Sequence, residues 1–494
     1  MADAGFTPLE ALWSAIVGPA RFADCRTRLV VSPPERSSTW FCSTPIRSTI
    51  SATLDRSKPL APAHSIMDDA RRLAEALHAN DVATVDAILS ANAGLRAYLT
   101  RPLPHDPFGA TVLTHPTTRG DLAMVDVLIR HGADINQRSD WWAGSFGVLD
   151  MCDRAIAPAL IARGARVDAY AAARLGMLDT LVQLLDADPS LVHARGGDGQ
   201  TPLHVAANVE IARELVQRGA DIDALDIDHE STPAQYMVRD RQDVARWLVT
   251  RGCRTDILMA AALGALELAQ KHLIARPESL RTRVSSEWFP MQDKRAGGTI
   301  YIWTLGQGAS PHSVARAFGH NDIYEYLISQ SPDDLKLVRA AQSGDEPLVT
   351  RLLAGRTTNL AASLSDGDRQ GLVVAASRGD TTAALLMLRA GWPTDGRGES
   401  GGTPLHWAAW MGNPELARDL VQRGAALEDR GDVYKMTPLG WALHGSLNCW
   451  RKEKGDYAET VQVLLAAGAN APEVSAGVDA SDEALGALRG FPSR

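Results

Sequence analysis

Cysteine is scarce in this 494-residue chain. There are five, Cys25, Cys42, Cys152, Cys253 and Cys449, scattered and without a Cys-x-x-Cys pair. Such usage excludes a disulfide framework or a paired-cysteine zinc module and matches a reducing compartment, so a cytoplasmic location is expected. Runs of basic residues are also missing. The nearest, Arg451-Lys452-Glu453-Lys454, carries its own acid, and the net charge is −9. Phosphate neutralisation needs clustered Lys and Arg, so nonspecific nucleic-acid binding is excluded. No apolar stretch approaches the length of a membrane span. Aromatic residues make up only 6% of the chain against 45% hydrophobic overall, so small aliphatic side chains must build the core. Catalytic signatures are absent too: there is no Gly-rich phosphate loop, no Gly-x-Ser-x-Gly elbow and no His-Glu-x-x-His. Asp150-Met151-Cys152-Asp153 has no identifiable partner His, and a buried thiol is expected there.

What the chain does have is a repeat. Thr403-Pro404-Leu405-His406, then Ala408-Ala409, Gly412 and Leu420-Val421-Gln422-Arg423-Gly424-Ala425, recurs whole or worn about every 33 residues. Thr201-Pro202-Leu203-His204-Val205-Ala206-Ala207 runs on to Gly219-Ala220-Asp221-Ile222-Asp223, and Gly132-Ala133-Asp134-Ile135-Asn136 closes a third copy with a worn opening. Thr suits a helix N-cap and Pro the first turn, where its missing N–H costs nothing. The Ala pair lets helices approach closely, and the final Gly fits a left-handed stop. A period of this length implies a stacked solenoid whose units cannot bury their apolar faces alone.

These motifs resemble ankyrin repeats, which implies an all-α solenoid of paired antiparallel helices with β-hairpin fingers. The resemblance makes His204 and His406 hydrogen-bonding elements of the turn rather than catalytic groups. About twelve units align, beginning near Asp68, Gly109, Ser145, Val167, Gly199, Glu230, Arg254, Gly308, Asp333, Arg369, Gly402 and Met436. The units around Val148 to Gly164 and Leu203 to Gly219 are about one helical turn short, so a shortened first helix is expected in both. Two further units share another ending, Leu184 to Leu191 and Leu273 to Leu280, each with a Pro shortly before a Ser-Leu pair.

The organisation expected is a leader over 1–66, N-terminal repeats over 67–283, a hairpin insertion over 284–307, C-terminal repeats over 308–475 and a tail over 476–494. The leader is rich in Ser, Thr and Pro and has no sustained helical period after Ala20, which suits either a disordered tail or a start of translation at Met67. Within the insertion, Gly297-Gly298 between apolar flanks reads as the turn of a long β-hairpin.

Departures from the repeat are where binding is expected, because loops on a rigid scaffold carry function. They are the lengthened finger with Trp141 and Trp142, the Asp226-Ile227-Asp228-His229-Glu230 finger, the insertion with Trp288 and Trp303, and the interruption from Leu447 to Tyr457. By the resemblance, Trp407, Trp410 and Trp441 lie on first helices that line a concave groove, and they form a candidate aromatic strip for a partner. The expected role is therefore a monomeric protein-interaction scaffold or adaptor. Its partner-binding residues would be Trp141, Trp142, His229, Glu230, Trp288, Trp303, Trp407, Trp410 and Trp441, with no catalytic residue, metal or cofactor. The alternative is a small-molecule or catalytic pocket in the irregular centre, roughly residues 140 to 305, which would need His229, Glu230, Asp140 and Arg239 to converge. The richest polar constellation there is Asp226, Asp228, His229, Glu230, Tyr236, Arg239, Asp240 and Arg241, whose adjacent carboxylates and imidazole could supply acid and base or three ligands for a metal.

Overall fold

The computed structural model describes residues 61–101, 108–354, 364–398, 401–431, 433–471 and 479–491. The leader up to residue 60 lies outside them, and the first helix, Ala61–Ala79, begins ahead of Met67. From there the described chain is a succession of twelve helix pairs, one in each unit marked out by the repeat. The chain divides into two compact units: residues 1–254 with 290–300, and residues 255–289 with 301–494. Each holds six pairs.

The local chemistry of a pair is visible in Ala169–Leu175 and Leu178–Ala187. Asp168 caps the first helix by accepting from the Ala171 amide, and Gly176 stops it at a φ of 76°. Only glycine takes that left-handed conformation without strain. Between units the small side chains do the packing. Ala171, Ala172 and Ala173 are buried in the first unit, and Ala260, Ala261 and Ala262 in the second. The close approach reaches its limit at Gly445, where a Cβ would stand 2.6 Å from the carbonyl oxygen of Trp410.

The two short units do have short first helices. Val148–Met151 and Pro202–Val205 hold four residues each, against seven in Pro404–Trp410. The shared ending with Pro and Ser-Leu folds alike in both places, as the 3₁₀ turns Pro189–His193 and Pro277–Arg281. At the far end, the segment expected as a tail carries the helix Asp482–Arg489, packed on Tyr457–Ala466 with Ala484 and Leu488 buried.

The expected β-structure is not formed. No strand occurs among the described residues, and the fingers are chains of turns. The insertion is likewise turns followed by a π-helical turn, Ile302–Gly306. The physical reason lies in where its backbone groups go: those of 292, 293, 297, 298 and 300 bond to the finger at 228–231 instead of to each other.

Candidate functional site

In the first unit, the irregular centre gathers around two consecutive fingers. The first turns through Gly196-Gly197-Asp198-Gly199. A Cβ at Gly197 would lie within 2.1 Å of the Phe146 ring, and one at Gly196 within 2.6 Å of Tyr170, so only glycine lets this backbone thread between the rings. That threading places Asp198, itself at a φ of 57°, in a buried position. Its carbonyl oxygen accepts from the amides of Ile227 and Asp228 at 2.9 and 3.1 Å, which ties the second finger to the first.

The second finger is shaped by Asp226. One carboxylate oxygen accepts from the His229 amide and the Tyr236 hydroxyl, at 2.8 and 2.9 Å, and the other from the Ser231 amide at 2.8 Å. Burial pushes the Asp226 carboxyl above its usual range, against the pull of these donors. The turn presents Asp228 and His229, both buried, on the side where the insertion passes. Asp228 Oδ1 accepts from the Gly297 amide at 3.1 Å, and His229 Nδ1 bonds the Gly298 carbonyl at 2.7 Å. A Cβ at Gly297 would be 3.2 Å from the imidazole, so the glycine pair provides close approach rather than a hairpin turn. Glu230, at a φ of 42°, accepts from the Gln292 and Asp293 amides at 2.8 Å.

One ligand atom from each of Asp198, Asp228 and His229 lies within 4.8 Å of the others. Asp198 belongs to this group although its sequence neighbourhood gave no reason to single it out. Trp141 joins it: its indole N–H donates to Asp198 Oδ1 at 3.0 Å, and its ring packs 4.7 Å from Phe108. Trp142 stands further out, with the Arg295 guanidinium 4.2 Å over its ring. Asp140 and Arg239 are exposed and do not converge with the buried His229, and Glu230 is committed to the insertion backbone. The acid–base constellation expected of a catalytic centre is therefore not assembled from those four residues.

In the second unit, the strip expected at Trp407, Trp410 and Trp441 exists but is closed. All three rings are buried. Trp441 meets Trp407 at 5.2 Å and Trp410 at 6.0 Å between centroids, both edge to face, while Trp450 and Tyr434 fill the remaining sides. Edge-to-face packing of this kind stabilises a core beyond the area it buries. It also leaves the rings little surface to offer a partner. Trp288 is half-buried, and Trp303 remains 37% exposed.

The motif histidines are structural in geometry. His204 Nδ1 accepts from the Thr201 amide at 3.0 Å and Nε2 faces the Ser231 carbonyl at 3.1 Å; His406 repeats this with Thr403 and Met436. Each imidazole thus ties its own helix cap to the next finger.

Comparison with known proteins agrees with this architecture. The family model for ankyrin repeats (three copies) matches residues 169–259 and 337–431. The mouse ankyrin repeat and SAM domain-containing protein 6 is 26% identical over 155 residues, which is 31% of this chain and 17% of that protein. Its rat counterpart is 25% identical over 173 residues, 34% of this chain and 18% of the relative. The chain thus spans less than a fifth of the length of these two relatives. Human protein phosphatase 1 regulatory subunit 27 is 32% identical over 105 residues, 21% of this chain but 68% of its own length. With its capped, glycine-stopped helix pairs and histidine-tied fingers, this chain belongs to the ankyrin repeat proteins.

Proposed function

We propose that the chain is a protein-interaction adaptor whose partner is held by the finger side of the array. The observation that carries this is the placement of apolar side chains on a turn where polar ones are usual. Leu225 and Ile227, flanking the buried Asp226, are 43% and 38% exposed on the rigid second finger. In the second unit Trp303, 37% exposed, offers a similar anchor, and Trp142 and Trp288 are half-buried. Aromatic and aliphatic anchors on a fixed scaffold dominate interface energy. Trp407, Trp410 and Trp441 then act by stiffening the last units, while Trp141, His229 and Glu230 act by fixing the finger.

The human relative's name, a regulatory subunit of a protein phosphatase, fits a chain whose work is to hold another protein. With a net charge of −9, the favoured partner segments are basic or mixed polar and apolar. Cys152, Cys253 and Cys449 are buried free thiols, and burial pushes the Cys253 thiol up to about 12. Such thiols suit a monomer working in the reducing cytoplasm.

The test is a pull-down with the full chain, comparing wild type with Leu225→Glu and with Trp303→Glu and identifying bound proteins by mass spectrometry. A partner lost from one folded variant and kept by the other supports the reading and says which unit binds. A partner equally retained by both, or no partner from several lysates, removes the finger surfaces as its basis.

A further inference from the structure

We propose that Asp198, Asp228 and His229 form a site for one divalent transition-metal ion of the zinc type, fastening the two fingers and the insertion segment of the first unit. The site goes beyond a protein-binding role. Its three ligand atoms lie within 4.8 Å of one another, and His229 Nε2 is 3.5 Å from Asp228 Oδ2. A tetrahedral ion with bonds of about 2.0–2.2 Å holds its ligand atoms about 3.3–3.6 Å apart. The imidazole and one carboxylate already have that spacing. Drawing in the third ligand needs a shift of no more than about 1.5 Å.

The histidine supplies evidence independent of the acidic pair. It is 2% exposed, and its Nδ1 is committed as a donor to the Gly298 carbonyl at 2.7 Å. That assignment turns Nε2 to the Asp228 carboxylate, 3.5 Å from its Oδ2. Donation of the second ring nitrogen to a backbone carbonyl is also the support that metal-binding imidazoles use to fix orientation. The carboxylates have matching support, since the Trp141 indole holds Asp198 Oδ1 and the Gly297 amide holds Asp228 Oδ1.

The register of the repeat explains why these groups meet. Asp198 stands three residues before Thr201, and His229 stands three before Thr232, so they occupy the same place in successive fingers. Stacking superposes them, and Asp228 comes with its neighbour. Two carboxylates and one imidazole suit zinc, cobalt or manganese. Calcium and magnesium favour all-oxygen shells, and copper(I) favours sulfur. Three protein ligands leave one position of a tetrahedral ion for water or a donor from a bound molecule.

The test uses the untagged full chain stripped with chelator, titrated with Zn2+ by calorimetry and with Co2+ by its visible d–d absorption. The expected result is one equivalent of either ion. His229→Gln and Asp198→Asn should weaken it on the order of 100-fold or more, and Glu278→Gln, an exposed carboxylate of the second unit, should leave it unchanged. Trp141→Phe keeps all three ligands and should weaken binding about 10–100-fold, giving a second reading should a ligand variant fail to fold. Circular dichroism in chelator checks folding of every variant. Absence of binding by folded wild type at about 0.1 mM ion, affinity beyond the micromolar range that a designed site should reach, overturns the proposal. So does binding that survives in folded His229→Gln and Asp198→Asn, which would place the ion elsewhere, or unchanged affinity in folded Trp141→Phe.

Discussion

Replacing His204 with glutamine should exchange stability at neutral pH for stability in mild acid, and the array itself contains the precedent. One unit later Gln235 stands where the motif histidine would be, and its side-chain oxygen accepts from the Thr232 amide at 2.8 Å, the bond that His204 Nδ1 makes with Thr201. Glutamine therefore keeps the cap but loses the Nε2 bond to Ser231, a loss of about 1 kcal/mol at pH 7.5. In acid the balance reverses. Burial holds the His204 imidazole down at about 3, whereas in the unfolded chain it titrates near 6.5. A depressed folded value means that the unfolded state binds the proton first. Stability is intact above about pH 6.5 and drains away as pH falls toward 3. One pKa unit corresponds to about 1.4 kcal/mol, so wild type should lose about 2 kcal/mol from this group between pH 7.5 and pH 5. The variant lacks that loss. It should be about 1 kcal/mol less stable at pH 7.5 and about 1 kcal/mol more stable at pH 5, with the curves crossing near pH 6. Urea unfolding in chelator, followed by circular dichroism over that range, measures the difference while the other histidines cancel. Parallel curves would refute the reasoning, because they would mean that His204 takes its proton as freely in the folded chain as in the unfolded one.

Three further perturbations probe the packing. Asp368→Ala removes the carboxylate shared by Arg339, which is 1% exposed and bonded at 2.8 Å, and Arg283 at 3.3 Å; a loss of about 3–5 kcal/mol is expected in denaturant unfolding. Burial alone would raise the Asp368 carboxyl, but the Arg339 charge, the Ser365 hydroxyl and the Arg283 charge together outweigh it and the net shift is downward, so the pair's contribution should fade as pH drops below about 3.9. Trp410→Ala opens the aromatic cluster and should cost about 3–5 kcal/mol, while Ile274→Ser, at a side chain 82% exposed, should stay within about 0.5 kcal/mol by the same measurement. Gly445→Ala drives a Cβ to 2.6 Å from the Trp410 carbonyl and should lower the melting temperature. Gly486→Ala, in the middle of Asp482–Arg489 with nothing within 4 Å, should raise stability by about 0.4–1 kcal/mol.

The contrast between what could be read from the residues and what could not follows from the range of each interaction. The helix pairs were legible because their determinants are local: Thr-Pro at a start, glycine in the left-handed region at a stop, and a missing turn in the unit ending at Gly164 that returns as the four-residue helix Val148–Met151. The burial of Trp407, Trp410 and Trp441 was not legible. The side chains that enclose them, Tyr434 and Trp450, come from a finger and an interruption whose paths no periodicity fixes. The β-hairpin reading of Gly297-Gly298 failed for a related reason. Glycine signals a backbone that needs room, and here the room is needed by the His229 ring. Asp198 is the instructive omission. Searching for chemistry among consecutive residues selected Asp226, Asp228, His229 and Glu230, of which Asp226 shapes the turn and Glu230 holds the insertion backbone. In a solenoid, residues one period apart are neighbours in space although far apart in sequence. The productive search aligns each finger on its Thr-Pro and compares the same column between units. In the column three residues before that pair, Asp198 is followed by His229, and the fold brings these two together with Asp228.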